Sequence, residues 1–99
     1  MSVLLTELKN RWDSMFGGLA AGQDLPPGRR LRAEGMMESV VLIGAAAPAE
    51  VVDLMGQSYL RAFGRSLEQD FGAGWQIIYP FPQIPAVMAR APVYPSTRD

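Results

Sequence analysis

Residues 2–18 read SVLLTELKNRWDSMFGG, and this stretch decides the fold class. Leu4, Leu8, Trp12 and Phe16 recur every four residues, the spacing that stacks side chains along one face of an α-helix. Leu5, Met15 and Leu19 widen that stripe. Ser2 stands where a helix N-cap belongs, and Gly17-Gly18 where a helix stops or frays.

Two further segments repeat the pattern. In the first, Asp24 is placed to cap a helix entered through Pro26 or Pro27, because proline fits a first helical turn. That helix runs to about Ile43. Ala33, Met36, Met37, Val40 and Val41 face inward, and Arg30, Glu34 and Glu38 share the opposite side. Gly44 marks its stop. In the second, a helix begins at Pro48 with Glu50 in its first turn, and Val52, Met55, Tyr59 and Phe63 form its apolar face beside Val51 and Leu60. Phe63 is read as core. Gly56 in mid-helix points to the close approach of a neighbouring backbone. Gly64 ends or kinks this helix, and Ser66 with Gln69 has the spacing of a capping box, so a short fourth helical turn follows.

Beyond Gly74 the character changes. Trp75 to Tyr79 reads as a short strand or extended segment. Five prolines lie between Pro80 and Pro95, interleaved with Phe81, Ile84, Val87, Met88, Val93 and Tyr94. That density excludes helix and inner strand and favours extended backbone. Because the segment is apolar, the expectation is a strap lying across the helices or across a second subunit. The fold class is therefore mainly α: a small three-helix domain, or four with the short turn, ending in a proline-rich apolar C-terminal strap. A single domain spans residues 1–99, with a helical core over about 2–71 and the extended segment over about 75–95.

Composition narrows the chemistry. Nine basic residues face ten acidic ones, a net charge of −1, which gives the chain as a whole no electrostatic attraction for nucleic acid or anionic membrane. Cysteine and histidine are both absent. Disulfides, thiolate metal sites, Cys nucleophiles and the usual near-neutral general base are thereby excluded. No phosphate loop, dinucleotide fingerprint or nucleophile elbow occurs. No secretory leader is legible, since Glu7, Lys9, Arg11 and Asp13 interrupt the first apolar stretch, and Val40 to Ala49 is too short to cross a bilayer. The expectation is a cytoplasmic protein without cofactor, metal, membrane or enzymatic activity.

Several constellations remain. Glu34, Glu38, Glu50 and Asp53 would hold a hard cation if two helices brought them together, against the ordinary alternative of salt-bridged solvent faces. Arg29, Arg30 and Arg32 form one basic cluster and Arg61 and Arg65 another, the candidate contacts for an anion. The turn at Gly44-Ala45-Ala46-Ala47 resembles a helix-turn-helix, but Glu50 and Asp53 early in the next helix would repel phosphates. Trp12, Tyr59, Phe63 and Trp75 would wall a small-ligand pocket. Pro82-Gln83-Ile84-Pro85 and Pro92-Val93-Tyr94-Pro95 have PxxP spacing, with flanking arginines misplaced for the usual recognition. The sequence reading is a non-enzymatic interaction or regulatory module, most simply a twofold homodimer. Trp75, Tyr79, Phe81, Ile84, Val93 and Tyr94 are its interaction surface. A dimeric nucleic-acid-binding regulator using the Arg clusters and a small-ligand-binding helical domain are the alternatives.

Overall fold

The computed structural model describes residues 3–72, 75, 84 and 85. Three long helices, α1 (Val3–Ala20), α2 (Pro27–Leu42) and α3 (Pro48–Phe63), precede the short α4 (Leu67–Phe71). Three quarters of the described residues are helical and none is in a strand, as the helical spacing predicts. The Ser2 cap, residues 76–79 of the expected strand, and Tyr79, Phe81, Val93 and Tyr94 lie outside the described residues.

The helix ends follow backbone geometry more closely than composition. Gly17-Gly18 does not stop α1, which continues through both glycines to Ala20. The stop is Gly22, at φ +88°, where the Gly22 N–H donates to the Leu19 carbonyl and the Gln23 N–H to the Gly18 carbonyl. Paired bonds around a left-handed glycine form a Schellman motif, which satisfies carbonyls that the helix leaves open. Helix α2 ends the same way. Gly44 takes φ +75° while its N–H donates to Val41 and that of Ala45 to Val40. At the start of α2, Pro26 rather than Asp24 occupies the N-cap position, and no side chain caps it. The Ser66–Gln69 box forms as expected, with Gln69 N–H donating to Ser66 Oγ and Ser66 N–H to Gln69 Oε1.

Helix α1 is the centre of the fold, packing on both α3 and α2. The pairs Phe16–Tyr59 and Asp13–Arg61 tie α3 to α1, Arg29–Ser14 ties α2 to it, and the short connector between Ala20 and Pro27 folds α1 and α2 into an antiparallel pair. Leu8, Trp12, Phe16, Met37, Val40, Val51 and Met55 are wholly buried between them. Helix α3 turns a face inward that is rotated from the expected one. Val51, Met55, Ser58 and Tyr59 are buried, Val52 and Phe63 are only half-buried, and Leu60 is exposed. Phe63 instead stacks on Tyr59 at 4.3 Å between ring centroids, near the rim of the core. Ser58 lies on that inward side, its hydroxyl satisfied by donating to Asp13 across the α1–α3 seam. Among the described residues no backbone approaches Gly56: a Cβ there would meet Leu67 Cδ1 at 3.9 Å, an ordinary contact with α4.

Ile84 completes the core. Only 3% exposed, it belongs to the same apolar cluster as the helix residues, and Trp75 packs half-buried against that cluster.

Candidate functional sites

Three groups of polar side chains stand out, and their neighbours decide what each can do. The first surrounds Ile84. Its backbone N–H donates to Glu34 Oε2 at 3.1 Å, and Glu34 is gripped by Arg30 Nη1 at 3.2 Å from each carboxylate oxygen. Arg30 and Glu34 side chains are 23% and 17% exposed, so this pair is not the solvated surface bridge that i,i+4 spacing on a polar face leads one to expect. The carboxylate satisfies a backbone donor that an extended segment would otherwise bury unpaired, and such an orphan is costly. The apolar side chain fills the core while the polar backbone is met at its edge. That combination seats Ile84 on the helical surface.

The second group joins α1, α3 and α4. Asp13 accepts from Ser58 Oγ and, at 2.9 Å, from Arg61 Nη2. Burial pushes the Asp13 carboxyl up, but the bonds from Ser58 and Arg61 and the charges of Arg61 and Lys9 outweigh it, leaving the pKa below its ordinary value. Asp70 accepts from Arg65 Nε and from the Tyr59 hydroxyl, and those bonds, led by the one from Arg65, lower its pKa as well. The Arg65 guanidinium is correspondingly raised by its bond to Asp70. These are fastenings between helices. They also consume Arg61 and Arg65, one of the two arginine clusters read from the sequence.

The other cluster is divided. Arg30 turns toward Glu34, whereas Arg29 and Arg32 line an open groove of about 430 Å³ between α1 and α2. Arg11, Ser14 and Asn10 line it from α1. Arg29 Nη2 donates to Ser14 Oγ at 2.7 Å, and Arg11 pairs with Glu7 at 3.1 Å. Sequence reasoning missed this groove because Asn10, Arg11 and Ser14 carry no motif. Only the antiparallel pairing of α1 with α2 sets them opposite Arg29 and Arg32.

The remaining constellations disperse. No three carboxylates gather among the described residues, so Glu34, Glu38, Glu50 and Asp53 form no cation site. Glu34 holds Arg30, Asp53 accepts from Gln57, and Glu50 accepts from the Ala47 N–H. Of the aromatic set, Trp12 is fully buried, and Tyr59 packs edge-on to Phe16, stacks on Phe63 and meets Phe71. These rings fill one another's space. No described helix is long and apolar enough to cross a membrane.

Comparison with protein-family models, curated proteins and solved structures finds no match to this chain.

Proposed function

We propose that this chain is a non-enzymatic protein-interaction module that self-associates by exchanging its C-terminal strap with a second copy. The observation that carries the reading is Ile84, buried in the helical core with its N–H held by Glu34. The helices thus present an acceptor site for an extended apolar segment. Twelve residues separate the end of α4 at Phe71 from Ile84. Extended, they span about 40 Å, enough to deliver Ile84 to its own core or to that of a neighbour. Which is chosen then depends on concentration and on the effective concentration that the linker imposes. Prolines in the linker lower the entropy lost on docking either way.

Exposed apolar side chains favour the exchanged arrangement. Leu42 and Ile43 are 66% and 65% exposed, and the antiparallel course of α2 puts them at the same end of the bundle as Val3, which is 87% exposed. Two copies trading straps would be held close enough to cover such side chains, and an isologous contact closes after two chains. The reading includes a cytosolic setting, where a fold held by a helical core needs no disulfide.

The test exploits the absence of native cysteine. A Thr6→Cys substitution on the exposed side of α1 gives a single labelling position, and donor- and acceptor-labelled pools of the full chain are mixed. Energy transfer should grow as subunits exchange and disappear when both pools carry Ile84→Asp. A constant, background level of transfer at high micromolar concentration would count against self-association.

A further inference from the structure

We propose that the groove between α1 and α2 is a binding site for a small organic dianion, a phosphate monoester, gripped by Arg29 and Arg32. This inference is independent of strap exchange.

The starting observation is how this chain treats its other arginines. Among the described residues, Arg11 pairs with Glu7, Arg30 with Glu34, Arg61 with Asp13 and Arg65 with Asp70. Arg29 and Arg32 reach no carboxylate among the described residues. They stand three apart on α2, so their guanidinium groups project from one face and repel each other. Folding leaves that repulsion uncompensated at one place, while the other four described arginines are each paired with a carboxylate.

The surroundings suit an anion in three further respects. Ser14 accepts a hydrogen bond from Arg29, which steadies the guanidinium without neutralising it. The groove's charged lining is Arg11, Arg29 and Arg32 against Glu7, a surplus of two positive charges that matches a phosphate monoester dianion. Guanidinium forks meet phosphate oxygens in pairs, a geometry a monocarboxylate cannot fully occupy twice. Finally, about 430 Å³ lies within the range of small-ligand sites, and Asn10 adds an amide for an organic substituent. A duplex nucleic acid fits less well. Its backbone needs a long positive surface, and the second arginine cluster is already bound to Asp13 and Asp70.

The experiment is calorimetric titration of the full chain with phenyl phosphate at low ionic strength. Saturable binding to one site per chain is expected. Arg29→Ala and Arg32→Ala should each weaken it about tenfold, the loss of one charge-assisted hydrogen bond. Both side chains are exposed, so the melting temperature should stay within about a degree or two of the parent. Glu7→Gln should strengthen binding severalfold by releasing Arg11, an effect no purely structural role produces. Ile84→Asp should leave it intact, which separates this site from the strap. Absence of heat at millimolar phenyl phosphate, or affinity unchanged in both arginine variants, would overturn the proposal. So would a short DNA duplex binding through Arg29 and Arg32 with steep salt dependence while phenyl phosphate does not bind.

Discussion

Replacing Ile84 by alanine removes three buried carbons from a side chain that lies outside every helix. At about 0.8 kcal/mol per buried methylene the transfer loss is about 2.4 kcal/mol, and an unrelaxed cavity would raise it toward 5. An upper bound also applies. Ile84 lies outside the helical frame, so under the proposed strap the chain can release it instead of bearing a cavity. The measured loss therefore cannot exceed the net docking free energy of the segment, which deletion of residues 80–99 measures. We expect Ile84→Ala to cost about 2 kcal/mol in urea unfolding at matched protein concentration, and the deletion to cost at least as much. Glu34→Gln, which keeps an acceptor for the Ile84 N–H but drops the charge held by Arg30, should fall between Ile84→Ala and the parent. A change below about 0.5 kcal/mol for Ile84→Ala, the range of ordinary surface substitutions, would refute the reasoning. So would a deletion that costs less than the single substitution.

Phe16 and Phe63 should respond differently to truncation. Phe16→Ala empties a fully buried site and should cost about 3–5 kcal/mol, whereas Phe63→Ala, at the half-buried rim, should cost about half as much; equal losses in chemical denaturation would return Phe63 to the core. Acid should loosen the bundle through Asp13 and Asp70, whose folded pKa values lie below their ordinary 3.8. In that window the unfolded chain binds more protons, so these contributions are fully present above the unfolded value and fade as pH falls through the folded one. Asp13→Asn and Asp70→Asn should accordingly flatten the fall of the urea midpoint below about pH 4, and an unchanged slope in both would contradict the assignment.

The long helices are legible because their apolar periods are long and uninterrupted: Leu5, Leu8, Trp12, Met15, Phe16 and Leu19 mix odd and even positions, so they share a face on a helix and not on a strand. Their ends were less so. A glycine in sequence does not say which glycine takes the left-handed conformation, and Gly17-Gly18 yielded that place to Gly22 because the closing bonds come from Gly22 and Gln23. The inward face of α3 was misjudged because period alone treats Ser58 as surface, while in the fold it is buried with its hydroxyl satisfied by Asp13, 45 residues away. The same limit governs the candidate sites. An i,i+4 Arg30–Glu34 pair is ordinarily a solvated bridge, and only the distant arrival of Ile84 turns it into the edge of a docking site. The arginine-lined groove depends on two helices meeting, which no single stretch of sequence records.

Self-association through the strap is the central claim, and solution mass tests it most directly. Light scattering of the full chain over a dilution series should show the mass rising from the single-chain value of 10.8 kDa toward twice that value as concentration increases. Ile84→Asp should hold it at one chain throughout. A full-length chain that stays at the single-chain mass from low micromolar to millimolar concentration would contradict the account.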